Sequence, residues 1–103
     1  MRFSENAKVG AQTLIRLCHE KNILITTAES CTGGLISSYL TSITGASNIF
    51  QCSYITYSNS SKICLLGVPE KMIEAYGAVS KEVSIAMAEG ALNNSNANAA
   101  IST

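Results

Sequence analysis

Two short polar segments of the sequence hold the residue types that could do chemistry. The first, residues 29–34 (ESCTGG), separates a β-branched run at 23–28 from apolar residues that recur at helical spacing from Leu35 onward, so it predicts a turn from a strand into a helix. Unpaired N–H groups at the start of a helix favour an oxyanion or a phosphate, and two glycines allow a ligand to approach the backbone. Ser30 or Thr32 in such a turn is a candidate nucleophile or, equally well, an ordinary helix cap.

The second segment, residues 57–62 (YSNSSK), leads from a predicted strand into a short helix. A lysine near the start of a helix is repelled by the positive end of the helix dipole, which favours the neutral amine that a general base needs. Lys62 could therefore be a base, although a solvated surface lysine is the simpler interpretation. Open α/β sheets bind ligands beyond the carboxyl ends of their strands, so we expect Ser30 and the segment at 57–62 to meet in one crevice.

Three further residues could take part in chemistry, but the sequence gives weaker support for a catalytic role of each. Cys31 could be a nucleophile at the helix start, yet neither segment holds a histidine to pair with it, so a buried structural thiol is the better interpretation. His19 lies at a predicted helix end, where contact with the helix dipole or solvation accounts for it. Glu29 could orient Lys62, face a ligand, or be an ordinary surface carboxylate.

The elements that must position these residues follow from hydrophobic spacing and from capping residues. Helices are predicted at 4–21, 35–43, 58–66, 69–76 and 80–91, and strands at 23–28, 49–57 and 97–102. Strands that alternate with helices indicate a layered α/β/α domain with a small mixed or parallel sheet. We expect residues 1–103 to form a single domain.

Composition and charge exclude several classes of function. Seven Lys and Arg balance seven acidic residues with no basic stripe, so nucleic acid is not an expected partner. Apolar runs are far shorter than the ~20 residues that span a bilayer, so no membrane partner is expected. All the acids are Glu and there is one His, which leaves most zinc sites built from His and carboxylates, and a Ser-His-Asp triad, without their parts. The four cysteines form no Cys-x-x-Cys pair, which favours reduced thiols and a cytoplasmic location.

Several motifs occur in one order along nearly the whole chain. They are Thr27–Gly34, Gly45–Ser47, Tyr57–Asn59, Lys62, Leu65–Pro69, Gly77–Ser80 and Ala86–Gly90. In these motifs and their order, the chain resembles the CinA C-terminal domain, the nicotinamide-nucleotide amidase family. The resemblance implies a cytoplasmic enzyme of pyridine-nucleotide salvage that converts nicotinamide mononucleotide to nicotinic acid mononucleotide and ammonia, with no metal or organic cofactor.

Carried over position by position, the resemblance makes Ser30 the catalytic serine, Lys62 the catalytic lysine and Tyr57 the catalytic tyrosine. In the resulting hypothesis Lys62 takes the Ser30 proton, and Tyr57 orients the lysine or relays a proton toward the leaving ammonia. Oxyanion and substrate binding are assigned to six further residues: Glu29, Cys31, Thr32, Gly33, Gly34 and Thr103. Among these, the backbone N–H groups of residues 31–34 would hold the oxyanion.

The sequence departs from the family pattern at its carboxyl end. Thr103 matches only the first residue of a family loop, Thr-Gly-x-Ala-Gly-Pro, so by the resemblance we expect residues 1–103 to lack the last third of the family domain. A short sheet leaves edges to be covered, and we therefore expect a homodimer. The alternative to an active amidase is a shortened, catalytically inactive homologue that acts as a binding or oligomerisation module.

Overall fold

The fold alternates strands and helices, as the hydrophobic spacing predicts. The structure, a computed structural model, describes residues 4–103. The helices are α1 (Glu5–Lys21), α2 (Leu35–Thr41), α3 (Asn59–Leu66), α4 (Glu70–Tyr76) and α5 (Lys81–Asn93), and the strands are β1 (Ile25–Glu29), β2 (Phe50–Ile55) and β3 (Ala99–Ser102). The predicted types are confirmed, and the main differences are strand and helix ends that lie one or two residues from their predicted positions. A short 3₁₀ turn at Ala46–Asn48 was not predicted.

Serine side chains cap three of the helices. Ser4, Ser58 and Ser80 accept hydrogen bonds from backbone N–H groups in the first turns of α1, α3 and α5. Gly67 ends α3 in the left-handed conformation that glycine adopts without steric cost. Pro69, predicted at the first position of α4, is instead its N-cap residue.

The sheet is parallel, with strand order β2-β1-β3. The first strand in the sequence is therefore the central one, and all three strands run in the same direction. The last residues of β1 pair with the last residues of both neighbours, Ala28 lying opposite Tyr54 and Ser102. Parallel strands thus bring their carboxyl ends, and the polar segments that follow β1 and β2, to one edge of the sheet.

Helices cover both faces of β1. Successive side chains of a strand point to opposite sides, so the residues of β1 pack against helices on both faces. Ile25 joins a core cluster with α1 and α2, whose buried members are Ala11, Ile15, Cys18, Ile25, Leu40, Ala46 and Ile49. Ala28 joins a second cluster with α3, α4 and α5, formed by Ala28, Leu66, Val68, Ile73, Val83, Met87 and Ala91. This confirms the layered α/β/α class. Because the side chains alternate, neighbouring residues at the end of β1 point into different helix layers.

None of the helices within residues 4–103 combines the length and the apolar character that crossing a bilayer requires.

Candidate active site

Ser30 is held from two sides directly after the central strand. It falls on the side of β1 that Ala28 takes, toward α3 and α5. Its backbone N–H donates to the Thr103 carbonyl at 3.0 Å, and its Oγ lies 3.1 Å from the Lys62 Nζ. The predicted meeting of Ser30 and Lys62 at the carboxyl edge of the sheet is therefore confirmed.

Lys62 is buried, with 2% of its surface exposed. Besides Ser30, its Nζ contacts two backbone carbonyl oxygens of the segment between β2 and α3, that of Thr56 at 3.0 Å and that of Tyr57 at 2.8 Å. A lysine in this setting is not a solvated surface residue, so the simpler interpretation offered above is wrong. Thr56 was missed by sequence reasoning, since it acts through a backbone atom that any residue would supply.

The surroundings of Lys62 favour its neutral form. Burial lowers the pKa of its amine, and the nearby Cys31 opposes that change only in part. A neutral amine has two N–H groups and one lone pair, and the carbonyls of Thr56 and Tyr57 can only accept. Both N–H groups are then taken by the carbonyls, which leaves the lone pair directed at the Ser30 hydroxyl. In this state the serine donates to the lysine, which is the arrangement a general base requires.

Tyr57 contacts Lys62 through its backbone and not through its phenol. Its carbonyl accepts from the Lys62 Nζ, whereas its side chain is 78% exposed and forms part of the cleft wall. The carbonyl therefore orients the lysine, while the predicted proton relay through the hydroxyl stays a prediction.

A cleft of about 800 Å³ opens beside Ser30 and Lys62. This volume lies within the range of small-molecule sites, roughly 300–1,000 Å³. Its wall is formed by Ser30, Cys31, Tyr57, Lys62, Ala78, Val79, Ser80, Lys81, Ser84, Met87 and Thr103. Sequence reasoning missed the contribution of the start of α5, although the Ser80 cap followed by Lys81 was a usable signal.

The turn at residues 31–34 has two glycines with positive φ, +59° at Gly33 and +104° at Gly34. The Gly33 N–H donates to the Ser30 carbonyl, whereas those of Cys31, Thr32 and Gly34 donate to no other group within residues 4–103. Of this turn, only Cys31 lies on the cleft wall beside Ser30. Its N–H is therefore the best placed of the predicted oxyanion donors.

Glu29 does not orient Lys62, which corrects that expectation. Glu29 is the last residue of β1 and directly precedes Ser30, so its side chain points to the opposite face, where it is completely buried. Its carboxylate accepts from the N–H groups of Ile36 at 2.9 Å and Ser37 at 3.0 Å, in the first turn of α2. It is absent from the cleft wall.

The Glu29 carboxylate is ionised despite its burial. Burial by itself raises its pKa, but hydrogen bonds from the Ser37 and Thr32 side chains and from the backbone of Ile36 and Ser37 outweigh that effect, so the pKa lies below its ordinary value of 4.5. The ionised group stabilises the fold above this ordinary value, and the stabilisation is lost as the pH falls through the lowered pKa.

Within residues 4–103, no group of three or more His, Cys, Asp or Glu side chains is arranged to hold a metal ion. The four cysteines are free thiols, of which Cys18 is buried and Cys31 is exposed. The interpretation of Cys31 as a buried structural thiol is therefore wrong.

Comparison with known proteins identifies the family. The sequence model of the CinA C-terminal domain family matches residues 7–103 of this chain. The chain belongs to the CinA C-terminal domain family. CinA-like proteins of Colwellia psychrerythraea and Chlorobium limicola are 50% and 48% identical to it, over 96% and 89% of this chain.

Solved CinA structures share the fold. The competence/damage inducible protein CihA of Agrobacterium tumefaciens superposes with a TM-score of 0.95 at 37% identity, over 99% of this chain and 62% of that one. A CinA superfamily protein of Escherichia coli gives 0.92 at 27% identity, over 99% of this chain and 60% of that one. The chain spans 23% and 21% of the length of the two curated relatives.

Proposed function

We propose that this CinA-family chain is an amidohydrolase that converts nicotinamide mononucleotide to nicotinic acid mononucleotide and ammonia. The observation that carries the chemistry is the buried Lys62 amine, 3.1 Å from the Ser30 Oγ with its pKa lowered. The substrate comes from the resemblance to the nicotinamide-nucleotide amidases. The cleft volume of about 800 Å³ suits a ligand of this class.

In the first step the Ser30 Oγ attacks the carboxamide carbon while its proton passes to the Lys62 lone pair. An O–C bond forms, and the carbonyl oxygen takes the negative charge. The Cys31 N–H, which has no partner within the described residues, would donate to this oxygen. Because the donor is part of the backbone, it needs no reorganisation as the charge develops.

In the second step the C–N bond breaks, and the proton held by Lys62 passes to the leaving nitrogen, which departs as ammonia. A water molecule then attacks the acyl-serine, again with Lys62 as base, and releases the carboxylate and free Ser30. The Tyr57 hydroxyl, exposed on the cleft wall, would relay the proton toward the leaving group. Atoms and charges balance with water as the only co-reactant.

The test is ammonia release from nicotinamide mononucleotide by the purified chain. We expect release by the wild type and by Ser47→Ala, an exposed serine outside the cleft, and loss of release in Ser30→Ala. Absence of release from a folded wild-type chain would contradict the hydrolase assignment. Retained nucleotide binding would then favour the alternative, a binding module. The homodimer and the cytoplasmic location stay predictions, and light scattering tests the first.

A further inference from the structure

Glu29 is a completely buried, ionised side chain that the proposed reaction does not use. No cation contacts its carboxylate within residues 4–103, and each of its hydrogen-bond partners there is a hydroxyl or a backbone N–H. An ion is removed from water at a large cost in free energy, so a buried carboxylate needs such partners to persist. The concentration of partners on one side chain points to a positioning role.

We propose that Glu29 is a positioning residue that fixes the Ser30 turn from the face of β1 opposite to the cleft. The inference rests on the proposed function, since it assigns Ser30 as the nucleophile to be positioned. Glu29 would act through two connections, one to the start of α2 and one to Thr103.

The first connection replaces the missing cap of α2. The N-cap residue of this helix, Gly34, has no side chain with which to cap it. Glu29 reaches across the turn and accepts from the N–H groups of Ile36 and Ser37, and the Ser37 hydroxyl donates to it as well. These hydrogen bonds join the end of β1 to the start of α2. They fix the distance that the residues between them, which include Ser30 and the oxyanion donors, must span.

The second connection runs back to the nucleophile. Thr32 Oγ1 donates to Glu29 Oε1 at 2.8 Å and lies 2.7 Å from Thr103 Oγ1. A hydroxyl has one proton, so when Thr32 donates to Glu29, Thr103 must donate to Thr32. The carbonyl of Thr103 in turn accepts from the Ser30 N–H at 3.0 Å. Glu29 therefore orders a chain of hydrogen bonds that ends on the backbone of Ser30.

The deciding variant is Glu29→Gln, which keeps the shape of the side chain. Each carboxylate oxygen accepts one backbone N–H, from Ile36 or from Ser37. Whichever way the amide turns, its NH₂ group faces one of these donors, and that contact is lost. Small displacements of reacting groups are costly, so we expect kcat of the folded variant to fall at least about tenfold with KM changed less than about threefold.

Ile15→Val is the control, because Ile15 belongs to the core cluster of α1 and β1, none of whose members lies in residues 29–34. It lowers stability without a positioning effect, so its kcat per folded molecule should equal that of the wild type. A second readout does not depend on turnover. The N–H groups of Ser30 and Gly33 donate to the carbonyls of Thr103 and Ser30, and their amide proton exchange should be about tenfold faster in Glu29→Gln than in Ile15→Val.

Glu29→Gln with a kcat and exchange rates equal to those of Ile15→Val would overturn the proposal. If the wild type releases no ammonia, the proposed function fails, and the exchange rates alone decide whether Glu29 positions the turn. If Glu29→Gln does not fold, Ser37→Ala removes one hydroxyl donor and keeps the backbone bonds. Faster exchange at Ser30 in that variant than in Ile15→Val supports the proposal, and equal exchange overturns it.

Discussion

Replacing Lys62 by methionine separates the catalytic role of the amine from its structural one. Methionine is also unbranched and of similar length, so its side chain still fills this site, in which only 2% of the Lys62 surface is exposed to solvent. The substitution removes the charge, the lone pair and the N–H donors together. Among residues 4–103, the Ser30 hydroxyl then has no base within hydrogen-bond distance.

The expected effect on the rate is large. A positioned general base contributes roughly 10²- to 10⁴-fold to a rate. We therefore expect kcat/KM of Lys62→Met to fall about 10³-fold, which corresponds to about 4 kcal/mol of transition-state stabilisation.

The expected effect on stability at neutral pH is small, because two contributions oppose each other. Loss of the amine leaves the carbonyls of Thr56 and Tyr57 without this donor, at roughly 1–3 kcal/mol for each buried group. Removing a buried amine also abolishes its desolvation cost, which is of similar size. We expect a net change in the free energy of unfolding below about 2 kcal/mol.

The contribution of Lys62 to the free energy of unfolding depends on pH, and the direction of its pKa shift gives the sign. Its pKa is lowered in the folded state, so between that value and 10.5 the unfolded chain binds the proton and the folded chain does not. Stability attributable to Lys62 therefore rises with pH across this window, by at most about 1.4 kcal/mol per pH unit. The methionine variant lacks this rise, and wild-type kcat/KM should increase through the same folded-state pKa.

Two assays decide the matter: urea unfolding between pH 7 and pH 10, and ammonia release over the same range. Activity of Lys62→Met within tenfold of the wild type would refute the assignment of the base. A wild-type stability that runs parallel to that of the variant across the range would refute a lowered lysine pKa.

Two other predictions concern packing and proton transfer. In Gly90→Ala the new Cβ would lie 2.0 Å from the Leu66 carbonyl oxygen, so we expect a loss of about 1–3 kcal/mol or more in urea unfolding. Gly10→Ala, also helical but with no atom within 4 Å of its Cβ, should instead gain about 0.5–1 kcal/mol, and equal effects of the two changes would contradict the packing argument. Tyr57→Phe should lower kcat about tenfold while the pH profile of kcat/KM keeps its midpoint, because Lys62 is held by the backbone carbonyl. An unchanged kcat would eliminate the proton relay.

The partnership of Ser30 and Lys62 could be predicted because it depends only on topology. Parallel strands end at a common edge, so polar residues that directly follow β1 and β2 must lie close together whatever the details of packing. The helix limits were equally accessible, since Ser58 and Gly67 specify the ends of α3 through local chemistry.

The role of Glu29 was not predictable from sequence spacing. The strand run at 23–28 shows no alternation of apolar and polar residues, so it gives no signal of which face a following polar residue takes. That choice separates a carboxylate facing the cleft from one that caps α2. Nor could spacing reveal that Tyr57 meets Lys62 through its carbonyl, because backbone contacts leave no mark on residue type.

The hydrogen bond from the Ser30 N–H to Thr103 joins the nucleophile to a residue far downstream, just beyond the four-residue strand β3. A short strand at the edge of a sheet opens locally more readily than the central strand beside it. If β3 opened, the Ser30 N–H would lose its acceptor and Thr103 would separate from Thr32. Under the proposed function, the fraction of molecules competent to react would then not exceed the fraction in which β3 is paired with β1, even far below the temperature of global unfolding.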